Sequence, residues 1–87
     1  MKYLIMCRSL TTAQRAALLL ERRGISAAVV KAPQYLRQNG CGYAVSLYRQ
    51  LGEAVALLRE AKLLTGKIYL RNEDGSYREA KEHDLSR

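Results

Sequence analysis

Short apolar runs alternate along the chain with segments of helical periodicity. Residues 2–7 form an apolar run that includes Tyr and Ile, which is typical of a β-strand. In residues 11–24 the apolar side chains of Ala13, Ala16, Ala17 and Leu20 recur at intervals of three and four, which predicts a helix that ends at Gly24. Thr11 and Gln14 have the spacing of a capping box, so we expect Thr11 to cap this helix.

The same alternation continues in the second half of the chain. A second helix is predicted from about Arg49, because apolar side chains there recur at helical spacing and would form its buried face. These side chains are Leu51, Ala54, Val55, Leu58 and Ala61. Further strands are predicted at residues 25–31, 43–47, 67–71 and, after a turn at 72–75, 76–80.

The resulting order, β-α-β-β-α-β, is that of the ferredoxin-like split βαβ fold. We therefore expect an α+β, ferredoxin-like β-α-β-β-α-β sandwich, in which a four-stranded sheet of order 4-1-3-2 carries both helices on one face. Residues 1–71 would form this domain, and residues 72–87 would form a turn, a short strand that doubles back, and a charged tail.

This topology leads to two expectations about side chains. Lys67, Tyr69 and Arg71 should line the face of the sheet that the helices leave open. Because the first strand is apolar on both faces, a second subunit or the tail should cover that open face. We also take strands one and three to be parallel, which would place Cys7 and Cys41 about 15 to 20 Å apart at ~3.3 Å per residue, too far for a disulfide.

Composition and charge limit the function classes. The 87 residues are 48% hydrophobic and 26% charged, which is ordinary for one globular domain. A chain this short buries a limited core, so a homodimer is one expectation. The formal net charge of +7 favours anionic partners such as tRNA, although the basic residues could equally be the solvated faces of two helices.

The cysteine content and the N-terminus indicate a compartment. The chain has two cysteines and no Cys-x-x-Cys pair, so a disulfide framework is not expected. Its N-terminal apolar run is shorter than a signal-peptide core, and no apolar segment is long enough to span a membrane. We expect a cytoplasmic protein without a membrane partner.

Cys41 is the strongest candidate for chemistry. It stands between Gly40 and Gly42, which permit a sharp turn that presents the sulfur to solvent. The reactive species in sulfur chemistry is the thiolate, and the positive charge of Arg37 would favour it. The alternative is that Cys41 is incidental to a glycine turn. Cys7, within an apolar strand, is expected to be a buried small hydrophobe.

A second candidate is an anion site. We expect the two helix N-termini to gather at one end of the sheet and to bring together Arg8, Ser9, Thr11 and Arg49. The alternative is that the hydroxyls only cap helices. The sequence has no phosphate-binding loop, no dinucleotide fingerprint and one histidine, His83, so we expect neither a cofactor nor a metal.

The motifs resemble those of a known family over roughly residues 1–71. They comprise a Ser/Thr-rich helix start, a Gly-Ile helix end, and a proline before a loop that contains Cys-Gly: Ser9, Thr11, Thr12, Gly24, Ile25, Pro33, Cys41 and Gly42. The chain resembles the selenium/sulfur carrier protein-like family. The resemblance implies a carrier rather than an enzyme, which holds sulfur or selenium on Cys41 and passes it from a donor protein to an acceptor protein.

Two other functions remain open at this point. RNA-recognition motifs share the β-α-β-β-α-β order, and residues 41–48 match half of the pattern of their third strand. Val45 stands where a second stacking aromatic is needed, so Tyr3 and Tyr69 would have to compensate on the open face. The third function is a non-catalytic adaptor that dimerises through the open sheet face or pairs an edge strand with a partner.

Overall fold

The computed structural model describes residues 2–37, 42–64 and 66–80. Within these ranges the chain forms two α-helices, five strands and one turn of 3-10 helix, η1. The helices are α1 (Leu10–Arg22) and α2 (Leu51–Glu60). The strands are β1 (Tyr3–Met6), β2 (Ala28–Lys31), β3 (Tyr43–Leu47), β4 (Ile68–Arg71) and β5 (Tyr77–Glu79), and η1 (Gln34–Leu36) lies between β2 and β3.

The strands form one antiparallel sheet in the order β2-β3-β1-β4-β5. The sheet therefore has five strands rather than the four that we expected, because the chain turns after β4 and β5 pairs with it. Arg71 lies opposite Tyr77, and Tyr69 lies opposite Glu79. Residues 77–79 thus belong to the same sheet as β1 to β4.

The direction of β3 differs from our expectation. β1 and β3 are antiparallel, with Met6 opposite Ala44. The reason is that α1 brings the chain back to the end of the sheet where β1 starts, so β2 runs parallel to β1. The connection after β2 then reverses the chain, so β3 runs antiparallel to both strands. The main-chain N–H of Cys7 donates to the carbonyl of Tyr43 at 3.2 Å, so Cys7 lies beside the start of β3. The premise for a separation of 15 to 20 Å from Cys41 was therefore wrong, and Cys41 itself lies outside the described residues.

Both helices pack on one face of the sheet. The helix-side core contains Ile5, Cys7, Val45, Leu47 and Ile68 from β1, β3, β4 and their ends, Ala13, Ala16, Ala17 and Leu20 from α1, and Leu51, Ala54, Val55 and Leu58 from α2. The periodicity predicted all the helical members of this core. It was wrong for Ala61, which is exposed because α2 ends at Glu60.

The start of α1 also differs from the prediction. Ser9 is the N-cap, and its Oγ accepts a hydrogen bond from the main-chain N–H of Thr12 at 3.1 Å. Thr11 lies inside the helix and is exposed. A serine two residues earlier satisfies a helix N–H equally well, and capping-box spacing alone did not distinguish the two residues.

The second face of the sheet is covered by the chain itself. Leu4, Met6, Ala44 and Tyr69 form a second-face cluster with Ala32 and Leu36, and Tyr77, within residues 72–87, packs against it. A second subunit is not needed to explain the burial of this cluster. Leu36, in η1, is only 6% exposed. The Tyr35 hydroxyl accepts a hydrogen bond from the main-chain N–H of Tyr77 at 2.9 Å. The segment after β2 therefore crosses this face as far as β5.

This packing corrects our expectation of an open face. Tyr69 points to the second face but is 9% exposed, so it cannot present its ring to a ligand. Lys67 and Arg71 remain exposed at the two ends of β4. An adaptor that dimerises through an open sheet face therefore loses its structural basis.

Replacing Leu36 with Ala should lower the free energy of unfolding by about 2 to 4 kcal/mol, because it opens a cavity between η1 and the sheet. Urea denaturation measures this change. The matched control is Leu18→Ala, since Leu18 is 52% exposed on α1 and its loss should cost less than about 0.5 kcal/mol. Equal and small effects of the two substitutions would show that η1 does not cover the second face.

Candidate functional site

Gly42 lies where β1 and β2 end and β3 begins, and we call this end of the sheet the Gly42 end. The main-chain N–H of Ala32, which follows β2, donates to the carbonyl of Gly42 at 2.7 Å. Lys31, the last residue of β2, is the pairing partner of Tyr43. Gly42 is therefore held in the sheet by its neighbour strand, one residue after Cys41 in the sequence.

The side chain of Arg37 is packed against Gly42. Its Nε donates to the carbonyl oxygen of Ala32 at 3.1 Å. A Cβ built on Gly42 would lie 3.0 Å from this Nε and 3.2 Å from Cζ of the same side chain. The missing side chain at position 42 therefore makes room for the half-buried guanidinium, and a positive charge lies beside the residue that follows Cys41.

The sequence predicted separate roles for these two residues, a loop-shaping role for Gly42 and a thiolate-favouring role for Arg37. In the structure the Arg37 side chain lies directly against Gly42. It does not describe Cys41 or Gly40. Sequence reasoning missed the Ala32 carbonyl that orients Arg37, because a main-chain acceptor has no signature in the sequence.

Cys7 also lies at the Gly42 end but is a member of the helix-side core. It is 3% exposed, and its Sγ–H donates to the carbonyl of Ile5 at 3.5 Å. The prediction that Cys7 is a buried small hydrophobe is confirmed. A protein partner therefore has little access to its sulfur in this conformation.

The residues predicted to form one anion site are divided between the two ends of the sheet. Arg8, Ser9 and Thr11 lie at the start of α1, at the Gly42 end. Arg49 precedes α2 at the opposite end, because β3 runs antiparallel to β1 and delivers the chain there. The prediction that the four residues converge was therefore wrong. Ser9 acts as a helix cap, which was the alternative.

The opposite end contains a surface cavity of about 360 Å³ lined by Gly24, Ile25, Ser26, Tyr48, Arg49 and Gln50. The turn between β4 and β5 lies at the same end. There the pKa of the Asp74 carboxyl is lowered, mainly by hydrogen bonds from the side chain and then the main chain of Ser76. Neither feature adjoins Gly42.

The direction of the β3 side chains does not support RNA recognition. Tyr43 and Val45, which align with the two central stacking positions of an RNA-recognition motif, pack towards the helices. Ala44 lies on the other face, where it is buried. Tyr3 packs against the helix-side core and Tyr69 belongs to the second-face cluster, so these tyrosines do not share a face that could stack bases.

Two further properties concern the part of the chain that the structure describes, namely its helices and its possible metal ligands. Neither of its helices combines the length and hydrophobicity needed to cross a membrane. Among residues 2–37, 42–64 and 66–80, no three His, Cys, Asp or Glu side chains are grouped so that they could hold a metal ion.

Comparison with known proteins identifies the family to which this chain belongs. No match was found among curated proteins or among solved structures. The model of one family, described as "Putative Se/S carrier protein-like", matches residues 2–70, which is most of the 87-residue chain and includes the Gly42 end. The chain therefore belongs to the Se/S carrier protein-like family.

Proposed function

We propose that this protein carries sulfur or selenium as a persulfide or selenopersulfide on Cys41 and transfers it from a donor protein to an acceptor protein. Membership of the Se/S carrier protein-like family supports the carrier role. The contact of Arg37 with Gly42 is the observation that supports Cys41 as the carrying residue. Burial of Cys7 supports the same choice, since the other thiol of the chain is 3% exposed.

The proposed chemistry needs a stabilised anion on sulfur. A cysteine attacks as its thiolate, and nearby positive charge lowers the pKa of a thiol. The hydrogen bond from Arg37 Nε to Ala32 fixes the guanidinium without neutralising it, because a carbonyl oxygen has no formal charge. The positive charge next to Gly42 would therefore favour both the thiolate of Cys41 and the anionic form of its persulfide.

Transfer from Cys41 then requires only thiol exchange. The thiolate of an acceptor cysteine attacks the outer sulfur of the Cys41 persulfide, and the bond between that sulfur and Cys41 Sγ breaks. The acceptor leaves with the persulfide, and Cys41 leaves as a thiolate. Electrons balance without an oxidant or reductant, and a reducing cytoplasm would keep the empty thiol ready for the next donor.

Incubation with a cysteine desulfurase and cysteine, or with the same enzyme and selenocysteine, should add about 32 or 80 Da to the intact protein, the mass of one sulfur or selenium atom transferred at the zero-valent level. Cys41→Ser should abolish the adduct. Cys7→Ala should keep it, provided that circular dichroism shows the variant to be folded, because Cys7 is a core residue. Intact mass spectrometry measures all three proteins. An adduct that persists in Cys41→Ser would remove the proposed role of that residue.

Arg37→Gln should slow alkylation of Cys41 by iodoacetamide at neutral pH by about two- to fivefold, because the thiolate loses a neighbouring positive charge. The rate should recover at higher pH, where the thiol ionises without help. The measurement uses the Cys7→Ala background, so that one thiol reacts.

Two further variants separate charge from packing. Gly42→Ala should also slow alkylation, as Arg37→Gln does. Its new Cβ would lie 3.0 Å from Arg37 Nε, so the Arg37 side chain would have to move away. Arg15→Gln removes one positive charge from an exposed position on α1 and serves as the matched control. If Arg15→Gln slows the reaction as much as Arg37→Gln, the effect is one of net charge and the role of Arg37 is refuted.

A further inference from the structure

Basic side chains lie on both sides of the start of β3. Lys31 on β2 is paired with Tyr43 and is exposed. On the other side, Arg8 follows Cys7, whose N–H is bonded to the carbonyl of Tyr43, and it too is exposed. Arg37 packs on Gly42 itself. Three segments that each carry a positive side chain therefore meet around the start of β3, with Lys31 on the helix side, where Tyr43 packs, and Arg37 against Gly42.

Carboxylates are scarce at this end of the described sheet. Among its strand residues, the carboxylate at the Gly42 end is that of Glu79, on β5. β5 is three strands away from β3, which corresponds to about 14 Å at ~4.8 Å per strand. The Glu79 carboxylate also pairs with Lys67 at 3.3 Å. The first turn of α1, which starts at the same end, contains no acidic residue, and the last turn of α2, which runs towards this end, contains Glu60 next to Arg59.

The opposite end of the sheet has mixed charge. Glu53 lies in the first turn of α2, and Glu73 and Asp74 lie in the turn between β4 and β5. The basic residues at this end include Arg49, just before α2, and Arg22 and Arg23, where α1 ends. The opposite end therefore carries carboxylates beside its basic residues, whereas β1, β2 and β3 contain no carboxylate, and the two ends of the sheet differ in the charges that they would attract.

We propose that the Gly42 end is a docking surface for a protein whose own transfer cysteine is surrounded by carboxylates. This inference rests on the proposed function, since transfer brings the two cysteines into contact and so places the partner's surface against Arg8, Lys31 and Arg37. Complementary charges would speed that encounter and exclude proteins with basic surroundings. A protein fits this surface better than RNA does, because no exposed aromatic face for stacking bases accompanies the charge in the described sheet.

The test uses two short peptides, one with a cysteine flanked by two Glu on each side and one with a cysteine flanked by two Lys on each side. Each is activated as a mixed disulfide with thiopyridine. The Cys41 thiolate attacks the peptide sulfur, the peptide–thiopyridine bond breaks, and released thiopyridone reports the rate. This reaction does not require Cys41 to be loaded with sulfur. In the Cys7→Ala background, the acidic peptide should react about fivefold or more faster than the basic one at low ionic strength.

Lys31→Glu should remove most of this preference, and added salt should weaken it because the Debye length falls to about 8 Å at physiological ionic strength. Arg49→Glu makes the same charge change at the opposite end and should leave the preference within about twofold, because the distance screens it. If both substitutions act equally, or if the two peptides react alike, the docking surface is refuted. A preference abolished by low concentrations of tRNA but insensitive to Lys31→Glu would also refute it.

The result is independent of the test of the proposed function. If Cys41 accepts sulfur in the mass measurement but shows no preference between the peptides, the carrier function stands and the docking surface is refuted. If Cys41 prefers the acidic peptide but never accepts sulfur or selenium, the docking surface stands and the carrier function is refuted. The thiol would then serve another exchange reaction.

Discussion

The central strand β1 is apolar on both faces, and the rest of the structure depends on covering both. Its odd-numbered side chains face α1 and α2, as Ile5 does. Its even-numbered side chains, Leu4 and Met6, would be exposed if the connection from β2 to β3 left the sheet directly. Instead the connection crosses the second face and buries Leu36 there. The same crossing ends with Arg37 against Gly42, so hydrophobic burial determines where this charge lies.

The candidate site thus combines a packed segment with a main-chain scaffold. The carbonyl of Ala32 orients the guanidinium, and glycine at position 42 gives it space. Neither contact requires a rare residue type or a long motif. The proposed sulfur exchange would need only a reactive thiolate and a partner that can approach it.

Much of the fold could be predicted from local pattern. Periodicity identified both helices, their buried faces and the strands, because burial on one side repeats at the period of each element. Strand direction was predicted wrongly, since it depends on how many times the chain reverses and not on any single segment. The sequence indicated that β1 needed a cover, but η1 could not be identified as that cover, because one buried leucine in a loop has no periodicity. The candidate site was predictable as residue types, Cys41, Gly42 and Arg37, but not as a contact.

The bond from the Tyr77 N–H to the Tyr35 hydroxyl joins parts of the chain that are 42 residues apart. It ties the hairpin of β4 and β5 to the segment that leads into Gly42. Proteins open locally in cooperative units, and elements that share a buried cluster tend to open together. Tyr77 also packs against the second-face cluster that Leu36 completes. We therefore expect η1 and the hairpin of β4 and β5 to open together, so that a partner bound at β5 would stabilise η1 from a distance.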